Sequence, residues 1–222
     1  STDSASAVFT GMGTSPVLFA ITVHEAAHGY AARHFGDNTA YQMGRITLNP
    51  LKHIDPLGTI AMPLLLYFAT SGAFLFGYAK PVPVNFGRLR NPKRDMIWVA
   101  LAGPGANLIQ AVAWTLLLYV LVAMGVEEPF FLQMCRAGLL VNLVMWAFNL
   151  FPVPPLDGGR ILVGLLPWKQ AQMVSRLEPY GFCIVMGLVM FGVVGTIWLR
   201  PLMSFGYTVI NFLITPLRML LG

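Results

Sequence analysis

Five runs of this chain, at about residues 13–35, 96–124, 131–151, 180–199 and 203–221, are apolar and long enough to cross a membrane. A hydrocarbon core takes about 20 helical residues. Inside lipid each backbone amide must be paired by the protein itself, so spans of this kind are helices. A sixth run, residues 57–77, is interrupted by Pro63 and Gly72. Basic residues stand on both sides of it: Arg45 and Lys52 before, Lys80, Arg88, Arg90, Lys93 and Arg94 after. Lys and Arg collect in cytoplasmic loops, so a re-entrant segment or tight hairpin is expected there, and a single span is not. The first helix then ends inside, 96–124 returns, Glu127 and Glu128 lie outside, and 131–151 comes back towards Arg160, Lys169 and Arg176. Arg200 alone breaks this pattern.

Composition excludes a soluble domain. Hydrophobic residues make up 56% of the 222 and charged ones only 10%, against about a quarter charged in soluble proteins. The net charge of +5 is what basic cytoplasmic loops produce, so it does not point to nucleic acid, and no nucleic-acid partner is expected. Cys135 and Cys183 lie in separate apolar runs and suggest neither a disulfide framework nor a cysteine metal site. The opening STDSASAVFTGMGTSP has no basic segment ahead of the apolar run, so no cleavable signal peptide is expected.

Two stretches differ from the helices. GRITLNPLKHIDP (44–56) and GYAKPVPVNF (77–86) alternate apolar residues with Pro and Asn, which suits short extended strands. Pro81 and Pro83 cannot donate to a ladder and would confine the second to an edge. An edge at 44–48 or 80–84 is a candidate for holding an unwound substrate by strand addition. The expected fold is an all-α polytopic membrane protein of about five to six transmembrane or re-entrant helices with short membrane-embedded β-strands. Residues 1–222 are expected to form a single domain.

The first run contains HEAAH, residues 24–28. Four residues apart on a helix, His24 and His28 stack on one face and can present two imidazole nitrogens to one ion. Glu25, about 100° round, is placed to handle a proton on water at that ion. Three polar groups buried in a lipid-facing helix with no role would be costly. His34 and His53 share neither the face nor the spacing and read as interface or loop residues.

Two histidines leave a catalytic zinc site short of a third protein ligand, which should be a carboxylate, His or Cys. The chain has five Asp and four Glu. Asp157 stands out in FNLFPVPPLDGGRIL, where Pro152, Pro154 and Pro155 break a helix and Gly158 and Gly159 permit a sharp turn. Asp-Gly-Gly is also an ordinary turn sequence. Irregular backbone at membrane depth, however, is tolerated only where protein buries it or it lines a wet cavity. If the first helix ends near Phe35, its histidine pair lies roughly 14 Å in from that end at 1.5 Å per residue. Asp157 follows a helix arriving on the same side, so the halves can meet just inside the cytoplasmic face. In ALAGPGANLIQA (100–111), Ala102, Gly103, Gly105 and Ala106 form a small-residue face for close helix packing. Asn107 could instead reach the cavity.

Together, HEAAH and NLFPVPPLDGG resemble the site-2 protease family of intramembrane zinc metalloproteases. GRITLNPLKHIDPLGT, AKPVPVNFGRLRNPKRD and ALAGPGANL extend the likeness over most of the chain, to the compact bacterial branch without a PDZ or CBS domain. The resemblance implies that His24, His28 and Asp157 bind one Zn2+ per chain. It further implies that Glu25 is the catalytic acid and base and that Asn149 assists near the scissile carbonyl. The implied partners are a transmembrane protein substrate and membrane lipid, and the implied site is the bacterial inner membrane with the active site towards the cytoplasm. Two other classes remain: a transporter relaying ions or protons through the buried His and Asp, and an inactive relative that only binds helices. A relay needs polar residues stepping across the whole membrane, whereas these cluster towards one face. An inactive relative would be free to lose Glu25.

Overall fold

The computed structural model describes residues 2–61, 64, 68 and 80–221, with side chains from residue 15 onwards apart from 59, 60 and 221. Its principal helices are α1 (Thr2–His34), α2 (Pro92–Ala123), α3 (Pro129–Asn149), α4 (Asp157–Leu165), α5 (Trp168–Ser175), α6 (Glu178–Met190) and α7 (Arg200–Leu221). Proline opens α2 and α3, where its fixed φ suits a helix start and its missing N–H is not needed. At α2 the carboxylate of Asp95 also reaches back to accept from the Asn91 amide at 2.7 Å.

Helix α2 is the centre of the arrangement, packing against α1, α3, α4 and α7. Ala111, Leu143, Trp146, Ala147, Ile210 and Ile214 form a buried core among α2, α3 and α7. Lipid is as apolar as these side chains, so close backbone approach rather than water exclusion holds such helices together. Gly138 shows it: a Cβ there would stand 2.4 Å from the Trp114 ring.

Pro92–Ala123, Pro129–Asn149 and Val194–Leu220 are long and apolar enough to cross a membrane. A fourth span is possible if α5 and α6, bent by 68° to one another, form one broken span. This is an integral membrane protein with three to four such spans among the described residues; the expected total of five to six transmembrane or re-entrant helices includes the 57–77 run, most of which lies outside them. The described half of α1 is diluted by Thr22, His24, Glu25, His28, Arg33 and His34. The expected boundary near Arg200 also moves. A π-helical turn, Val194–Leu199, runs straight into α7, and the chain turns instead at Gly192, whose φ of +74° favours glycine. Arg200 is exposed within that continuous helix.

No strand forms among the described residues, so the expected strands at 44–48 and 80–84 are not found. Residues 80–85 are extended but fastened piecemeal: Lys80 N–H donates to His53 O at 2.9 Å, and Asn85 N–H to Asp37 Oδ2 at 2.6 Å. Arg45 Nη2 donates to the Lys80 carbonyl at 3.0 Å. Most of the 57–77 segment lies outside the described residues, but its flanks at His53 and Lys80 meet. This puts both flanks on one side, where α1 ends.

Candidate metal centre

His24 and His28 lie one turn apart on α1, both buried, with their rings edge to face at 4.7 Å. Asp157 is the first residue of α4 and is buried too. Its Oδ2 lies 3.3 Å from His24 Nε2 and 3.3 Å from His28 Nε2, and the two Nε2 atoms are 3.0 Å apart. Zinc with tetrahedral bonds of about 2.0–2.1 Å holds its ligand atoms about 3.3 Å apart. The triangle has that size.

The surrounding hydrogen bonds decide what these atoms offer. His28 Nδ1 faces the Val99 carbonyl at 2.7 Å, which can only accept, so Nδ1 carries the proton. His24 Nδ1 faces Asn107 Oδ1 at 2.5 Å. The Asn107 amide group is spent on Asn142 Oδ1 at 2.9 Å, so this Nδ1 donates as well. In neutral imidazoles both Nε2 atoms then present lone pairs, and so does Asp157 Oδ2, which is buried without a hydrogen-bond partner. Three converging lone pairs with no proton among them suit a cation. These residues fit a zinc ion.

Close packing builds this geometry. A Cβ at Gly103 would lie 2.3 Å from His28 Nε2 and 2.6 Å from His24 Nε2, so only glycine lets α2 pass so near the imidazoles. Pro104 follows it within the helix and cannot donate to the preceding turn. Gly158 and Gly159 act differently from the expected sharp turn. Both lie in the first turn of α4, and added Cβ atoms would stand 2.0 Å from Leu150 O and 2.1 Å from Pro154 N. They let the helix start tightly against the 150–154 loop, which sets Asp157 facing α1.

Glu25 is half-buried and turned from the His24–His28 face; its Oε2 accepts from the Val82 amide at 2.7 Å. Asn149 ends α3 and donates to its own helix, Nδ2 to Met145 O at 2.9 Å. No described hydrogen bond joins it to His24, His28 or Asp157. His53 bonds Thr47 O at 3.0 Å, and the carbonyl of His34 accepts from Arg90; neither histidine joins the cluster. Asn142 and Val82 were not singled out in the sequence. Asn142 carried a faint signal as an amide in the middle of an apolar span, whereas Val82 acts through its main chain.

A family model described as Peptidase family M50 matches residues 123–192, which include Asn149 and Asp157. The chain is 39% identical over 200 residues to "Putative zinc metalloprotease YwhC" of Bacillus subtilis, covering 86% of this chain and 84% of that protein. It is 31% identical over 174 residues to "Putative zinc metalloprotease Rip2" of Mycolicibacterium smegmatis, covering 78% of this chain and 64% of that one. It is also similar to stage IV sporulation protein FB of Bacillus subtilis, at 27% identity over 139 residues, 60% of this chain and 45% of that one. The chain thus spans less than two thirds of the length of those last two. No solved structure matches it.

Proposed function

The chain belongs to peptidase family M50, the site-2 protease type of zinc metalloprotease, and from that premise we propose that it is an intramembrane endopeptidase. It hydrolyses peptide bonds within or near transmembrane segments of membrane proteins, as a single domain holding one zinc per chain. The observation that carries this is the convergence of three lone-pair atoms, His24 Nε2, His28 Nε2 and Asp157 Oδ2, beside a carboxylate that holds none of them. Family membership sets the relay transporter aside.

His24, His28 and Asp157 would hold the ion. An ion held there would supply Lewis-acid polarisation of a carbonyl and would lower the pKa of water from 15.7 towards about 7. Glu25 takes the proton from the attacking water and returns it to the leaving amine. Asn149 donates to the developing oxyanion; its Nδ2 carries two N–H groups, and the bond to Met145 O uses only one of them. Asn107 and the Val99 carbonyl keep both imidazoles in the tautomer that leaves Nε2 free. Exposed Lys52, Lys80, Arg88 and Arg90, gathered where α1 ends, support a site facing the cytoplasm of a bacterial inner membrane.

The test compares membrane proteomes of cells carrying the intact protein and Glu25→Gln. Single-span proteins should accumulate uncleaved in the variant. Identical proteomes under conditions where the intact protein is expressed and zinc-loaded would contradict the assignment.

A further inference from the structure

We infer that the main-chain amide of Val82 is a positioning group for Glu25, fixing the carboxylate for proton transfer. The inference rests on the reading of Glu25 as the base. Glu25 Oε2 accepts from Val82 N–H at 2.7 Å across 57 residues of sequence, which leaves Oε1 to meet the water.

The amide is fixed by its neighbours rather than by a sheet. Val82 stands between Pro81 and Pro83. Each proline locks its own φ, and a residue before proline is held in extended backbone, so Lys80 and Val82 are both restricted. The segment is tied at Lys80 N–H to His53 O and at Asn85 N–H to Asp37 Oδ2. From the other side, Arg45 Nη2 reaches the carbonyls of Lys80 at 3.0 Å and Pro81 at 3.4 Å. The Val82 side chain is buried, 6% exposed, whereas Pro81 beside it is exposed. The valine therefore faces α1.

Gly29, one turn beyond Glu25, permits that approach. A Cβ at Gly29 would stand 2.8 Å from Ile46 Cγ1 and 3.3 Å from Val82 Cγ1. A side chain there would push Ile46 and Val82 off the helix and draw the amide from Glu25. The same bonding argues against a role for 81–83 as a donor edge for substrate. Two of its three residues lack an N–H, the third N–H is taken by Glu25, and the Lys80 amide is taken by His53. The strand-addition expectation for 80–84 loses its donors over 80–83, and Val82 serves the base instead.

The experiment removes the N–H and little else. Val82→Pro deletes it in a backbone already extended, and replacing Val82 by its α-hydroxy acid deletes it as an ester should the proline variant fail to fold. Each is purified, checked for zinc content, and assayed in proteoliposomes on a single-span reporter protein that the intact enzyme cleaves. Misplacing a catalytic group by about 1 Å costs up to ~10²-fold, so kcat should fall roughly 10- to 100-fold while KM and zinc content hold. Val82→Ala, which keeps the N–H, should retain a kcat about tenfold above Val82→Pro. In a Glu25→Gln background, deleting the amide should cost nothing further, because the group it positions is gone. A zinc-loaded variant without the amide that cleaves at the intact rate overturns the proposal. So does the same loss in the Glu25→Gln background, or a rise in KM at constant kcat, which would mark Val82 as a substrate contact. If Glu25→Gln itself cleaves normally, the assignment of the base fails, and that result is visible before Val82 is altered.

Discussion

Asn107 Oδ1 stands 2.5 Å from Nδ1 of His24, a buried contact between residues 83 apart in sequence. Asn107 in turn donates to Asn142 at 2.9 Å, and Asn142 to the Gly138 carbonyl at 2.8 Å. The chain of amides runs from α3 through α2 to an imidazole on α1 and holds that ring in one tautomer.

Asn107→Ala should therefore weaken zinc binding by about 10- to 100-fold, the usual cost of losing the partner of a metal-ligating histidine. Competition with a chelator of known affinity measures it. Asn142→Ala should give a smaller loss in the same direction, because it leaves the Asn107–His24 contact in place.

Asp157 is the only one of the three clustered groups that does not come from α1. Asp157→Ala should deplete zinc as His24→Ala and His28→Ala do, since each removes one of three protein ligands. Full zinc occupancy in Asp157→Ala would exclude the carboxylate from the ligand set. Gly103→Ala should lose zinc too, its methyl falling 2.3 Å from His28 Nε2.

Labelling fixes the topology. In a Cys183→Ser background, cysteines placed at Lys52 and Arg90 should both react from the same side, as the meeting of His53 and Lys80 requires, and under the proposed orientation that side is the cytoplasm. Labelling from opposite sides would mean that 57–77 crosses the membrane once.

The loop after α1 predicts a pH effect on stability. Burial pushes the Asp37 carboxyl up, but the Thr39 hydroxyl and the Asn85 and Thr39 amides outweigh it and hold the carboxyl below its usual 3.8. A depressed folded-state value stabilises the fold above the ordinary carboxylate range, and that stabilisation is lost as pH falls through the folded value. Thermal unfolding in detergent should show it: the intact protein loses stability below about pH 4, and Asp37→Asn, weaker at neutral pH, shows a flatter dependence.

Much of the cluster was legible because it is local. A four-residue spacing on a helix places His24 and His28 together whatever else the chain does, and Asp157 was marked by prolines that end a helix on the same side. Contacts set by tertiary packing were not. Gly158 and Gly159 read as a turn because the sequence does not show Leu150 and Pro154 pressing on the start of α4. Residues 80–84 read as a strand because the Pro-Val alternation suits extended backbone, and the backbone is extended. The Lys80 and Val82 amides bond instead to the His53 carbonyl and the Glu25 carboxylate, and Asn85 just beyond bonds to Asp37. The apolar runs 180–199 and 203–221 are separated at Arg200, yet the helix is continuous there and Gly192 takes the turn. Asn107 was legible as a polar group among small residues but not as the partner of His24, which depends on how α2 lies across α1.

The most direct test measures zinc content and cleavage on one sample of Glu25→Gln. The Glu25 carboxylate bonds to Val82 and lies off the face shared by His24, His28 and Asp157, so removing its proton-accepting capacity should leave about one zinc per chain and an unchanged fold. Cleavage of a single-span substrate should fall by at least the ~10²- to 10⁴-fold expected of losing a general base. Near-normal cleavage by a zinc-loaded Gln variant would contradict the account, and loss of the zinc would show that Glu25 holds the metal rather than the proton.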